Sequence, residues 1–349
     1  MDLEQLPEDY LTLSNSSRHK PRLSVIIPVA NGESVLARCL DALRRSEYKA
    51  FEVIVIDDCS TDGAARVAQH QGVRYFRSPN RMGPANARNI GAQNARGDIL
   101  VFVDADVVLS PNSLQMIADD FDRNPRIAAV FGSYDDAPDC PAFFSQYKNL
   151  VHHFIHRSSR ESASTFWAGC GAMRKSVFER FGGFDEATYN KPSIEDVALG
   201  IKITRAGHPI LLDKRLMVKH LKSWPFFSMV KTDIFHRAVP WARLILNTHY
   251  LPSDLNFDKR SRASLVLVAG LTASIVLLAL SPLIHWRPFQ APLLIVALVS
   301  ACLLLAINRR LYNFFIKKKG WWFAARAVPA HWSYFFYGGL TLALVSLDH

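Results

Sequence analysis

Asp104 and Asp106 stand two residues apart at the end of the run Ile99-Leu-Val-Phe-Val, and that placement poses a chemical problem. Val, Ile, Leu and Phe gain from burial, whereas unpaired carboxylates lose heavily when taken out of water. If the chain bends after Val103, both acids can reach one hard cation, which prefers oxygen ligands. Mg²⁺ is seldom enclosed by protein alone and is usually completed by substrate phosphates, so a cation bridging to a diphosphate is expected. Aspartates that only fix a turn are the other reading of such a pair. A second pair, Asp57 and Asp58, closes Phe51–Ile56. A third, Glu195 and Asp196, opens a segment where Ile194, Val197, Ala198 and Ile201 recur at helical spacing. Ser193-x-x-Asp196 also reads as a capping box. The two roles are compatible, because a helix N-terminus favours the ionised carboxylate and a general base must be ionised.

The elements that must position these acids follow from the apolar pattern. Leu23–Val29, Phe51–Ile56, Val73–Arg77 and Ile99–Val103 read as strands, and Ser34–Arg45, a segment from Asp62 onward and Ala85–Ala95 as the helices between them. Strands alternating with helices imply βαβ units and a mostly parallel sheet covered on both faces. Ligands on such sheets bind at the carboxyl ends of strands, where the first two acid pairs lie. A dinucleotide fold would need G-x-G-x-x-G after the first strand, but the turn Pro28-Val-Ala-Asn-Gly-Glu33 has a single glycine. A phosphate-binding G-x-x-x-x-G-K-[ST] loop is also missing from the sequence.

Composition divides the 349 residues unevenly. Up to about residue 260 the pattern is that of a soluble α/β protein. Three stretches almost free of charge follow, at 263–284, 288–307 and 327–347, each long enough to cross a bilayer as a helix. The third contains His331, Gly338 and Gly339, so a re-entrant or interfacial helix stays open there. Lys259, Arg260 and Arg262 precede the first stretch, and Arg309, Arg310 and Lys317–Lys319 follow the second. By the positive-inside rule both basic flanks, and the N-terminal domain with them, face the cytoplasm. Met1–Pro21 is polar and shows no signal-peptide pattern. Cys39, Cys59, Cys140, Cys170 and Cys302 form no C-x-x-C, which argues against a disulfide framework or a zinc site. The net charge of +10 suits an anionic membrane surface, and no nucleic-acid motif accompanies it.

Read together and in order, five segments between Pro21 and His220 resemble the family 2 glycosyltransferases, with their GT-A fold. They are LSVIIPVANGE, EVIVIDDCSTDG, NRMGPANARNIGAQNARGDILVFVDAD, FWAGCGAMRKSVFERFGGFDE and IEDVALGIKITRAG. The resemblance implies transfer of a sugar from a nucleotide-sugar to an acceptor hydroxyl. It implies that Pro28 and Glu33 border the nucleotide and that Asp57 and Asp58 hold base and ribose, with turn aspartates as the alternative. Arg81 and Arg88 lie where a cation could face the diphosphate, or on a solvated helix face. By the same resemblance Asp106 is the principal ligand of Mg²⁺ or Mn²⁺, Asp104 contacts ribose or metal, and His220 is a further ligand or an ordinary surface histidine. Asp196 is the implied base, with Glu195 beside it. AGCGAM, Ala168–Met173, lines the acceptor side or makes a tight turn.

The Q-x-x-R-W of the processive synthases is absent after the acid pair, where KSWPFF and HRAVPW stand instead. A single transfer is therefore expected. His152, His153 and His156 have helical metal spacing but no nearby acid to complete a site. Trp224–Tyr250 mixes Phe226, Phe227, Trp241 and Leu244 with Lys222, Lys231, Arg237 and Arg243 around it, a composition that suits amphipathic helices in the headgroup layer or packing against the catalytic domain. The expected organisation is a polar segment 1–21, a catalytic domain 22–221, interfacial helices 222–260 and a membrane region 261–349. The expected function is an inverting transferase of the inner membrane. It would use a nucleotide-sugar, a UDP-sugar ahead of a GDP-sugar, and a lipid or lipid-linked acceptor. A polyprenyl-phosphate glycosyl- or mannosyltransferase and a non-catalytic nucleotide-sugar-binding protein are the alternatives.

Overall fold

The computed structural model describes residues 20–282 and 287–348. Most of the polar segment 1–21, the end of the first apolar stretch at 284, and His349 lie outside the described residues. The described residues fold as two units, 20–141 with 160–223, and 142–159 with the described part of 224–348.

The first unit begins β1 (Leu23–Val29), α1 (Glu33–Arg44), β2 (Phe51–Asp57), α2 (Ala64–His70), β3 (Arg74–Arg77), α3 (Gly83–Asn94) and β4 (Ile99–Val103). It continues through β5 (Val107–Val108), α4 (Ser113–Arg123) and β6 (Ala129–Tyr134). After α5 (Phe143–Ser158), which belongs to the other unit, come β7 (Ser162–Ala163), β8 (Cys170–Arg174), α6 (Lys175–Arg180), α7 (Glu195–Arg205) and β9 (Ile210–His220). Strand order is β3-β2-β1-β4-β8-β6-β9-β5, with β7 on β9. The β3-β2-β1-β4 half is parallel throughout, as the alternating pattern requires. The other half is mixed: β8 runs antiparallel between β4 and β6, while β9 is parallel to β6 and antiparallel to β5.

Both faces of the sheet are covered at its centre, which is why β1, β2 and β4 are apolar at nearly every position. On one face Val25, Ile27, Val53, Val55, Val101 and Val103 share a core with Leu36 and Leu40 of α1 and with Ile117 and Phe121 of α4. On the other, Phe102 meets Phe184 and Phe178 at ring separations of 5.1 and 5.4 Å.

One buried polar cluster in this unit has a consequence for stability. Arg215 donates from Nη2 to Asp120 Oδ1 at 3.0 Å and to Asp213 Oδ2 at 2.9 Å, while Asp120 Oδ2 is buried without a hydrogen-bond partner. Burial and the neighbouring Asp213 carboxylate push Asp120 up to about 7. An acid whose pKa rises on folding stabilises the fold while protonated, and that contribution is lost as pH rises through the folded value. Relative to Asp120→Asn, the melting temperature of the native chain is therefore expected to fall by a few degrees as pH rises from about 5 through about 7, and to run level with it above that. Equal pH slopes for both proteins in differential scanning fluorimetry would contradict it.

The second unit is helical: α5, α8 (Phe226–Lys231), a π-helical turn (Thr232–Ala238), α9 (Val239–Thr248), α10 (Lys259–Leu280), α11 (Gln290–Ile307), α12 (Arg309–Lys319) and α13 (Trp321–Asp348). Within the expected segment 22–221, α5 packs with the helical unit. Its Tyr147 and Leu150 pack in one core with Trp224, Met229, Leu311 and Phe315, so α5 belongs with the C-terminal helices. The buried Asp233 of the π-helical turn pairs with Lys148 of α5 and accepts from the Tyr337 hydroxyl at 2.8 Å. Among the described residues two helices, α10 and α11, are long and apolar enough to cross a membrane. The third apolar stretch lies within α13, which starts earlier, at Trp321, and carries Arg326.

Candidate active site

The site is built where the parallel strands end. After β4 the chain turns: Val107 N donates to the Asp104 carbonyl at 3.0 Å. This is the bend that the spacing of the two acids demanded. The short pairing of β5 with the end of β9 sets Val107 opposite His220, which brings the imidazole to the acid pair. His220 Nε2 stands 3.8 Å from Asp106 Oδ2, and its ring stacks on Tyr134 at 4.0 Å. Burial and then the Asp104 charge push Asp106 up to about 6, with Lys222 and Arg88 drawing it partly back.

The third acid pair is tied to this corner by one arginine. Arg88, buried on α3, donates from Nη2 to Asp104 Oδ1 and from Nη1 to Glu195 Oε1, each at 2.7 Å. Its guanidinium also lies 5.8 Å from the Phe184 ring centroid. A carboxylate at the end of β4 and one at the start of α7, 107 residues away from Arg88, thus share one cation. Glu195 Oε2 accepts from Ser193 N at 3.1 Å, so Glu195 is engaged at both oxygens. The capping box read from Ser193-x-x-Asp196 does not form: Ile194 is the cap residue and no side chain caps α7.

Asp196 is held differently. Its Oδ2 accepts from Ala168 N and its Oδ1 from Val197 N, both at 2.8 Å. Burial, and secondarily the charge of Glu195, push its carboxyl up to about 7. Ala168–Met173 is more than a tight turn. Cys170 opens β8, and Gly169 O accepts from Asp104 N at 3.2 Å. The backbone of 168–169 therefore joins the Asp104 turn to Asp196.

The remaining expected residues fall along the neighbouring strand ends. Asp57 is fully buried, accepting from Ser60 N at 2.7 Å and from the Tyr75 hydroxyl at 2.6 Å. Asp58 accepts from Met82 N and Gly83 N at 2.8 and 2.9 Å, which pins the entry to α3. Gly83 has φ +86°, and a Cβ there would stand 2.6 Å from Asn190 O, so glycine is required at that contact. Both acids act as loop-fixing aspartates here, the alternative left open for them. Pro28 sits near the end of β1 opposite Ile56. Glu33 opens α1, receives Gly63 N at 3.2 Å and lies 3.7 Å from Arg66. Arg81 is exposed and, among the described residues, forms no ion pair. Arg88 is not on a solvated helix face, because its two terminal nitrogens serve the acid pairs.

Several contributors escaped the sequence reading. Asn31 laces the first two loops together, its Oδ1 accepting from Thr61 N at 2.8 Å. Tyr134 and Trp167 form an edge-to-face pair at 4.8 Å beside His220. Asn31 could have been found as the asparagine of a strand-end turn; the aromatic pair gives no local signal.

A cation fits the donor set only as a shared ligand. Asp104, Asp106 and His220 offer two oxygens and one nitrogen, with one Asp104 oxygen already on Arg88. Among the described residues no group of three His, Cys, Asp or Glu is arranged to hold a metal alone. The burial and the Asp104 charge that together raise Asp106 are what a divalent ion would offset. Completion by substrate phosphate is the usual habit of Mg²⁺.

The chain has relatives among known proteins in sequence and in fold. Residues 24–182 match the family described as Glycosyl transferase family 2. The O-antigen chain rhamnosyltransferase RfbN of Salmonella typhimurium is 24% identical over 63% of this chain and 74% of its own length. The GalNAc(5)-diNAcBac-PP-undecaprenol beta-1,3-glucosyltransferase of Campylobacter jejuni is 31% identical over 32% of this chain and 38% of its own. The chain spans 37–40% of the length of the first curated relatives it matches. In fold it is similar to the mannosyltransferase PcManGT of Pyrobaculum calidifontis, solved with GDP-Man and Mn²⁺. That likeness has a TM-score of 0.55 at 17% identity and covers 93% of this chain and 87% of that one. Residues 1–349 of S. aureus TarS with UDP-GlcNAc give a TM-score of 0.51 at 16% identity, over 84% of this chain and 83% of that one.

Proposed function

We propose that this chain, of which residues 24–182 match glycosyltransferase family 2, is a membrane-anchored, inverting glycosyltransferase that moves a sugar from a nucleotide-sugar to a lipid or lipid-linked acceptor. The observation that carries this reading is the Arg88 bridge, which gathers Asp104 and Glu195 beside Asp106 and Asp196 at one end of the sheet. Two acid roles are thereby separated. Asp104 and Asp106, with His220, would hold a divalent ion that accepts the diphosphate charge as the leaving group departs. Asp196, fixed by two backbone N–H groups, has the basicity to take a proton near neutral pH.

In the reaction Asp196 removes the acceptor hydroxyl proton as that oxygen attacks the anomeric carbon. The bond from carbon to phosphate oxygen breaks, its electron pair leaving with the nucleoside diphosphate. One displacement inverts the centre. Exposed Arg81 would approach the departing diphosphate, in the role of charge placed where charge develops. Relatives named for O-antigen and undecaprenol-linked sugars support a lipid-linked acceptor.

The membrane part of the reading is supported by the way α10 and α11 are turned inside out. Ser264, Ser274 and Ser300 are buried, while Val266, Ile275, Ile295, Leu298 and Val299 are exposed. Asn308 donates to Ser264 Oγ at 2.9 Å and Gln290 to Ser281 Oγ at 2.8 Å, closing both ends of the hairpin. Small and polar residues inside, with aliphatic residues outside, are what lipid selects. The basic flanks support the reading that the catalytic unit faces the cytoplasm at the inner membrane.

The test is an assay on the full chain in detergent or nanodiscs, with product configuration read by NMR. An inverted anomer is expected, with kcat/KM rising with pH through about 7 as Asp196 ionises, since a raised pKa leaves the base protonated below that value. Retention of configuration, or a rate that falls across the same interval, would overturn the assignment of Asp196 as base.

A further inference from the structure

Between α12 and α13 the chain reverses at Gly320, with φ 84° and ψ 173°. Only glycine adopts that backbone readily, and no packing reason replaces it, since a Cβ at Gly320 would meet nothing within 4 Å. The reversal sets Lys317, Lys318 and Lys319, all exposed, beside Trp321 and Trp322, which are 75% and 87% exposed. The opposite face of α12 is taken up inside the unit, where Leu311, Tyr312 and Phe315 join Tyr147 and Trp224. An aromatic band continues from the first turn of α13. Phe323 meets Phe143 at 5.1 Å, Phe143 meets Phe144 at 5.0 Å, and Phe144 meets Phe226 at 4.9 Å. Phe227, 83% exposed, ends the band.

We infer that this basic and aromatic rim docks on anionic lipid headgroups, Lys317–Lys319 meeting phosphate and Trp321 and Trp322 seated in the interfacial layer. The inference rests on the membrane reading of α10 and α11 and adds to it a lipid class and the residues that select it. Charge complementarity names the occupant. Three consecutive lysines cannot enter hydrocarbon, and a compact ammonium is a donor suited to phosphate. Indole rings prefer the same depth, one edge apolar and one able to donate. The rim also continues the lipid-facing surface. Leu303 and Leu305 of α11 are exposed just before Arg309 and Arg310 lead into α12.

The experiment uses the full chain in vesicles of phosphatidylcholine, with brominated phosphatidylcholine or brominated phosphatidylglycerol as quencher of tryptophan fluorescence. The signal of Trp321 and Trp322 is the difference between wild type and the W321F/W322F double variant. Brominated phosphatidylglycerol is expected to quench that difference signal at a several-fold lower mole fraction than brominated phosphatidylcholine. Substituting Lys317, Lys318 and Lys319 by glutamine is expected to remove that preference, bringing the two lipids to about equal quenching. Equal quenching by the two lipids in wild type would overturn the inference, as would quenching by aqueous iodide alone. So would cross-linked dimers that shield both indoles from lipid, which would make a second copy the occupant. A chain that fails to insert into vesicles at all would instead defeat the membrane reading of α10 and α11.

Discussion

Replacing Asp196 with asparagine is expected to lower sugar transfer by about 10³-fold, within the range that loss of a general base produces. The shape of the side chain is kept, so one of its two backbone hydrogen bonds, from Ala168 N or Val197 N, can still form. Nucleotide-sugar affinity should therefore stay within about twofold of wild type. The split matters because it separates chemistry from binding: a group that acts only as the acceptor oxygen loses its proton lowers kcat and leaves donor affinity alone. A steady-state assay paired with donor titration reads both. Transfer at the wild-type rate would remove Asp196 from the mechanism, and transfer lost together with donor binding would make it a structural acid.

The second large effect belongs to Arg88. Methionine fills a similar volume but leaves Asp104 and Glu195 facing each other without their shared cation. Breaking a buried ion pair from one side costs on the order of 3–5 kcal/mol. At about 2–4 °C per kcal/mol, Arg88→Met is expected to lower Tm by roughly 10 °C and to abolish transfer. A deficit of only one or two degrees would show that the bridge contributes little. Arg88→Lys keeps the charge but loses the two-pronged geometry, and should recover part of the stability with little of the rate.

Much of the frame was readable from local pattern. The strands over Leu23–Val29 and Ile99–Val103 have the boundaries expected from their apolar runs, and α1 and α3 begin and end within two residues of expectation. Covered parallel strands cannot alternate with water, so their sequence marks them directly. The Asp104 turn was legible for a similar reason: charge cannot continue a buried strand. What stayed hidden was pairing at a distance. The antiparallel insertion of β8 between β4 and β6 depends on backbone hydrogen bonds that composition does not record. Arg88 reads from its own helix as a cation available to a diphosphate, and only tertiary structure shows Asp104 and Glu195 occupying it. Asp57 and Asp58 were ambiguous in the same way, since the partners that engage them, Tyr75, Met82 and Gly83, lie 18, 24 and 25 residues on. The separation of α5 from its sequence neighbours comes from packing of Tyr147 and Leu150 that helical periodicity cannot assign to a partner.

The central claim is that the acids at the end of β4 and at the start of α7 form one pocket for an activated sugar and its divalent ion. Isothermal titration of UDP-sugars and GDP-sugars into the full chain, with Mn²⁺ and then with chelator, tests that most directly. Saturable uptake of one of these donors is expected with Mn²⁺, weakened by at least about tenfold on chelation and by Asp106→Asn alike. Donor binding indifferent to both the ion and Asp106, or no uptake of any sugar nucleotide, would contradict it.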